Sequence, residues 1–171
     1  FGAPRAFATS LKERVTFYNQ KWGVEGPTTR AAHWIPFALP GSQAVKGNVL
    51  LVGDAAGCAD PAVGAGISWG VKSSSLAFDA IMAYFQGEET DLNWYQALYD
   101  HHILEALRAG MALRNVLLLS LLLTGKPWDD AVQAVLDCLC GRLTYLAWKR
   151  RHPMLYALGL GLQKVVVPRV T

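Results

Sequence analysis

Apolar positions recur in separate runs along the chain. Leu11, Val15 and Tyr18 stand at helical spacing and predict a short helix over 11–20, ended by Gly23, Gly26 and Pro27. Ala31 to Leu39 reads as an extended segment broken by Pro36 and Pro40, and 41–47 as a turn-rich connector. Asn48 to Val52 (NVLLV) is a short apolar run between Gly47 and Gly53. Its length and strand-forming residues predict a fully buried strand. A loop of small residues follows and leads into a long helix reaching about Phe85. Ile67, Val71, Phe78 and Phe85 recur near helical spacing there, and Gly66, Gly70, Ser74 and Ala77 form a stripe of small residues. Such a stripe allows another backbone to come close.

Beyond Gly87 the pattern is helical throughout. Leu92 to about Thr124 predicts one bent helix or two. Pro127 suits a helix start, and Asp129 and Asp130 suit its first turn, with an end near Cys140. Leu143 to Arg151, stopped by Pro153, and Met154 to Val167 complete the series. No internal repeat is visible.

The 171 residues suffice for one domain, and 52% hydrophobic against 17% charged residues excludes a disordered chain. Three cysteines exclude a disulfide scaffold; Cys58, Cys138 and Cys140 match no zinc spacing, and a reducing compartment is expected. The chain starts at Phe1 without a signal-peptide pattern, so a C-terminal piece of a longer protein is expected.

The net charge of +3 is unevenly spread. Arg142, Lys149, Arg150, Arg151, Lys164 and Arg169 occupy the stretch from Cys138 onward, which contains no Asp or Glu. Tyr145, Trp148 and Tyr156 lie among them. This mixture suits an anionic membrane surface, a nucleic acid or a solvated helix face. The apolar runs Val116–Leu123 and Met154–Leu162, bounded by charges, are too short to cross a bilayer and read as core helices.

The most informative stretch is Gly53-Asp54-Ala55-Ala56-Gly57-Cys58-Ala59-Asp60-Pro61-Ala62-Val63-Gly64-Ala65-Gly66-Ile67. An Asp at the end of a buried strand is a rigidly held acceptor suited to a ligand hydroxyl. Small residues after it let a flat ligand approach the backbone. A helix starting at 64–67 aims unsatisfied N–H groups and a positive dipole end at that ligand. A tight turn without a ligand fits the same pattern.

Gly53 to Ile81 resembles the second flavin-binding motif of FAD enzymes with the p-hydroxybenzoate hydroxylase type of fold, and within them the geranylgeranyl reductase family. That family carries GDAAGF-x-x-P-x-x-G-x-GI. Here Gly53-Asp54-Ala55-Ala56-Gly57, Pro61, Gly64, Gly66 and Ile67 fall in register without a gap. The Ile35-Pro36 segment also resembles the family's Ile-Pro segment upstream. Cys58 stands where many relatives have an aromatic, Ala65 where many have an acidic residue, and Ser74 where a Gly is common.

The resemblance implies an FAD site formed by Gly53, Asp54, Pro61, Gly64, Ala65, Gly66 and Ile67. Asp54 would bond a ribityl hydroxyl, the main chain of 64–67 would face the pyrimidine edge of the flavin, and Pro61 would line the ring. It implies an α+β fold: the end of a substrate-binding domain over 1–40, the second FAD motif over 41–87, and a helical C-terminal domain over 88–171, with the adenosine-binding G-x-G-x-x-G lying upstream. Such a stretch would bind FAD only weakly by itself. The expected activity is reduction of prenyl double bonds in an isoprenoid or lipid substrate. The electron donor would be external, either NAD(P)H or a ferredoxin-like protein. A cytoplasmic place with peripheral membrane contact is expected, and no nucleic acid. The alternatives are a monooxygenase or halogenase of the same fold, or a non-catalytic helical module at a membrane surface.

No catalytic side chain is assigned. Cys138 and Cys140 would point to different helix faces and suit a core better than a metal. His101 and His102 read as surface residues, and His33 as structural or near the flavin. Cys58 suits a small buried position, with proton supply to a flavin as the sharper alternative.

Overall fold

A computed structural model describes residues 5–24, 35–37 and 41–162. The chain divides after Ile35 into two units. The first contains helix α1, Arg5–Lys21, longer at both ends than the 11–20 periodicity predicts. Its Val15, Phe17 and Tyr18 are exposed. Residues 31–34, with His33, and 38–40 lie outside the described residues, as do Lys164 and Arg169.

The second unit opens with an antiparallel hairpin of β1 (Val45–Lys46) and β2 (Val49–Leu50). Among the described residues this is the one sheet. The buried strand expected over 48–52 is therefore a two-residue hairpin arm, and Val49 is 60% exposed. An apolar run becomes a fully buried strand only with cover on both faces, and here Val49 points to an open face while Leu50 is half-buried.

The glycine-rich loop follows, and then helix α2, Ile67–Phe85, as the pattern predicts. The side it buries is not the large apolar one. Ser73, Ala77, Ala80 and Ala83 face the core, while Val71 and Phe78 are exposed, Ile67 is 88% exposed and Phe85 77%. Small residues win the inner face because the helix axis must approach neighbouring backbone closely, leaving the large residues outside.

Helix α3 (Trp94–Tyr99) continues through a π-helical stretch, Asp100–Leu104, into α4 (Glu105–Thr124). The expected bent helix is thus one 31-residue rod with its irregularity at 100–104. This rod is long and apolar enough to cross a membrane, which the short runs alone do not indicate, and 56% of its most apolar window is buried inside the protein. Gly125, at φ +70, ends it. Helix α5 (Asp129–Leu139) begins after Pro127 with Asp129 and Asp130 in its first turn, as expected. Thr144 caps α6 (Tyr145–Arg151) by accepting the Ala147 N–H at 3.1 Å. Helix α7 spans Pro153–Gly161.

The core has two joined parts. Tyr95, Tyr99, Ile103 and Leu107 pack with Cys58, Ala77 and Ala80, and Ala109, Ala112 and Leu113 pack with Ala131, Tyr145 and Trp148. Each fully buried side chain of this size contributes about 1.5–3 kcal/mol. Tyr145 and Trp148 are therefore core residues, not surface aromatics among basic neighbours. Lys149 is paired with Glu105 at 2.7 Å and Arg142 with Asp137 at 2.9 Å, which leaves the tail less free charge than the sequence suggests.

Candidate functional site

The loop starts on the hairpin. Leu51 N–H donates to Ala44 C=O at 2.8 Å, and Val52 runs extended into Gly53. Gly53 has φ +55, a conformation that residues with a Cβ rarely adopt. Its N–H donates to Ser73 Oγ on α2 at 2.9 Å. It also meets Gly70: a Cβ on either glycine would stand 3.7 Å from the other's Cα. The stripe of small residues thus does what its composition predicts at Gly70.

Gly53–Ala56 forms one 3-10 turn, closed by Gly57 N–H to Asp54 C=O at 2.9 Å and Cys58 N–H to Gly53 C=O at 3.0 Å. The helical part of the unit holds this turn and the segment leading into it through tyrosines four residues apart on α3. Tyr95 OH donates to Leu51 C=O at 2.7 Å, and Tyr99 OH to Ala56 C=O at 2.6 Å. Burial pushes the Tyr95 phenol up to about 12 and raises Tyr99 as well, so both stay donors at neutral pH. Gln96 between them accepts the Ala44 N–H at 2.7 Å. None of these three stands out in the loop motif; the 95/99 spacing on one helix face is the signal that marks the two tyrosines.

The second half of the loop is built around Asp60, which is buried. Its N–H donates to Ala65 C=O at 2.8 Å, and its C=O accepts the Gly64 N–H at 2.7 Å. Its Oδ1 accepts the N–H of Ala62 at 2.8 Å and of Val63 at 3.2 Å, and the Tyr145 hydroxyl at 2.9 Å. Gly64 takes φ +76 at the tip.

The chain then enters α2 with Gly66 at the N-cap, where no side chain caps the helix. The first turn of a helix leaves its N–H groups without intrahelical partners. Asp54, exposed on the 3-10 turn, stands over this end: a Cβ on Gly66 would lie 2.8 Å from Asp54 Oδ1. Of the residues singled out in the sequence, Asp54, Gly64, Ala65 and Ile67 are exposed, and Gly53 and Gly66 are half-buried. Pro61 is fully buried within the turn. The first six thus lie along one accessible stretch.

This arrangement fits the flavin half of an FAD site. It offers a carboxylate acceptor for a hydroxyl, N–H groups for a part that gains negative charge, and two glycines where a side chain would occupy the approach.

A cavity of about 440 Å³ borders the loop, lined by Asp60, Val63, Ala65 and Trp69 on one side and by Leu143 and Leu146 on the other, with Lys72 and His102 at its polar part. A larger one of about 920 Å³ lies among Leu113, Val116, Trp128, Trp148 and Leu155 and shares no residue with the loop.

Cys58 is fully buried, pairs through its backbone with Phe37 in an isolated antiparallel β-bridge and has its thiol raised by burial, which suits a core residue. Cys138 is half-buried with its thiol pushed up to about 11 by burial, Cys140 is exposed, and no metal-binding cluster occurs among the described residues. His101 is exposed, and His102 is half-buried at the smaller cavity.

No family model matches the chain, and no solved structure matches it. Over 126 residues it is 29% identical to a protein named menaquinone reductase from Mycolicibacterium smegmatis. The match takes in 70% of this chain and 29% of that protein, so the chain spans less than a third of its relative's length. The similarity connects the chain to an oxidoreductase.

Proposed function

We propose that this chain is part of an FAD-dependent reductase acting on a prenylated substrate, and that Gly53–Ile67 holds the flavin end of the cofactor. The observation that carries the reading is the placing of Asp54 over Gly66 at the uncapped start of α2. It puts an acceptor and main-chain donors side by side where no side chain intervenes. Bound there, FAD would supply two-electron reducing chemistry. The protein's part is positional. Asp54 orients a hydroxyl, the main chain of 64–67 faces the ring edge, and the helix end favours negative charge there by about 0.3–1 kcal/mol. The cavity beside Ala65 and Trp69 has apolar walls for part of the substrate.

The relative's name points to menaquinone, a quinone that carries a polyprenyl chain. Reduction of the ring and saturation of the chain are both reductase chemistry. Saturation is the reading favoured by the likeness of the 53–67 loop to the prenyl reductase motif. Incubating the full-length protein with FAD, a reductant and menaquinone, then recording mass spectra after reoxidation in air, separates them. A lasting gain of two hydrogens in the prenyl fragment is the expected result. A gain that disappears on reoxidation would place the chemistry on the ring, and no flavin uptake would remove the proposal altogether.

A further inference from the structure

The helical part of the unit reaches the carboxylate at the centre of the second half of the loop through the side chain of Tyr145, at the start of α6. Its ring lies on Gly110 of α4, where a Cβ would stand 2.9 Å from Tyr145 Cε2. A larger residue at 110 would displace the ring, so Gly110 sets its path. At the end of that path the hydroxyl donates to Asp60 Oδ1 at 2.9 Å, and the bond is buried. The same oxygen accepts the Ala62 and Val63 N–H groups, and Asp60 Oδ2 lies 3.4 Å from Trp69 Nε1 in the first turn of α2. One carboxylate therefore joins α6, the turn at 60–65 and the start of α2.

We infer that Tyr145 is a positioning residue: by fixing Asp60 it sets the main-chain conformation of 61–67, the part of the loop that faces the ligand. The link to a flavin rests on the function proposed above; the link to loop conformation does not. A hydroxyl–carboxylate bond is strong because it is charge-assisted, and this one is buried. Burial, then the neighbouring Asp60 charge, raise the Tyr145 phenol, so it remains the donor over the working pH range. The connection explains how a helical segment more than eighty residues downstream bears on the glycine loop (the separation is 85 residues).

The test uses Tyr145→Phe, which keeps the ring on Gly110 and removes only the donor. Hydrogen exchange followed by mass spectrometry on the full-length protein reads the amides of 62–69 separately from those of α4 and α7. The expected result is exchange about tenfold or more faster in 62–69, with α4 and α7 unchanged. Asp60→Asn, which keeps one acceptor oxygen but sets an amide N–H against Trp69 Nε1, should also raise exchange in 62–69. Unchanged exchange in 62–69 would overturn the inference. So would an equal rise across α4 and α7, which would make Tyr145 a general core residue. In parallel, FAD titration should show weaker binding by Tyr145→Phe and a shifted visible flavin spectrum. Failure of the wild type to bind FAD would remove the flavin proposal, while the exchange result would still decide the role of Tyr145.

Discussion

Gly159 of α7 lies against Ala112 of α4 so closely that a methyl at 159 would stand 2.8 Å from the Ala112 Cα and closer still to its carbonyl oxygen. Beside this contact, the buried Asn115 donates its side-chain amide to the Gly159 carbonyl at 2.8 Å. The two helices are thus joined through backbone. Gly159→Ala is expected to destabilise by about 1–3 kcal/mol through overpacking. Intrinsic propensity alone would favour Ala in a helix by about 1 kcal/mol, so the sign identifies the cause. Denaturant unfolding measures it, and a midpoint at or above wild type would contradict the packing.

Asp54→Ala should leave the fold intact, because Asp54 is exposed, and weaken FAD retention by about 1.5–3 kcal/mol, the usual worth of a hydrogen bond to a charged group. Flavin absorbance co-eluting with the protein on gel filtration checks this. Retention equal to wild type would remove Asp54 from the site.

Gly66 sits at φ −118, which any residue accepts, so a substitution there acts by volume. A Cβ would push aside the Asp54 carboxylate, whose Oδ1 lies 2.8 Å from that position. Gly66→Ala should therefore cost little stability and lower FAD affinity. The loss should shrink in an Asp54→Ala background. A double-mutant cycle in which the two effects add would show that Gly66 and Asp54 act separately.

Alkaline pH should destabilise the helical unit. Burial holds Cys138 up to about 11 against an ordinary 9.0, and Tyr95 up to about 12 against 10.0. The unfolded chain releases these protons first, so it binds fewer protons than the folded chain as pH rises above about 9, and stability falls. The contribution of each group is complete below its unfolded value and is lost as pH rises through its folded one. Thermal melts between about pH 8 and pH 11 should show a midpoint steady at the low end and falling above about 9. Tyrosinate absorbance from the buried tyrosines should appear together with unfolding; its appearance in the folded protein well before the melt would contradict the assignment.

The loop and the helix after it are legible in the residues because both depend on local chemistry. Gly53 and Gly64 occupy positive φ, Gly70 meets Gly53, and α2 and α5 start where small residues, proline and acidic residues predict. The orientation of α2 is not local. Ile67, Val71, Phe78 and Phe85 mark an apolar stripe in the sequence, yet the neighbours of α2 take its alanines and serine and leave that stripe outside. Periodicity shows that a helix has two faces; which one is covered depends on how close its partners must come.

Element type, the turn positions and the clustering of Asp54 with the glycines follow from residue chemistry over short separations, where φ preferences and helix-end rules act. The partners of that loop do not. Tyr95 and Tyr99 reach it across 44 and 43 residues, and Tyr145 across 85. Tyr145 and Trp148 sit among basic residues in the sequence but pack into the core, because they stand three apart on one face of α6, and the residues between and after them are turned away by about 100° per position. A side chain's neighbours along the chain decide its backbone; its burial and its hydrogen-bond partner come from packing between distant segments, where apolar area and satisfied polar groups must be accommodated together.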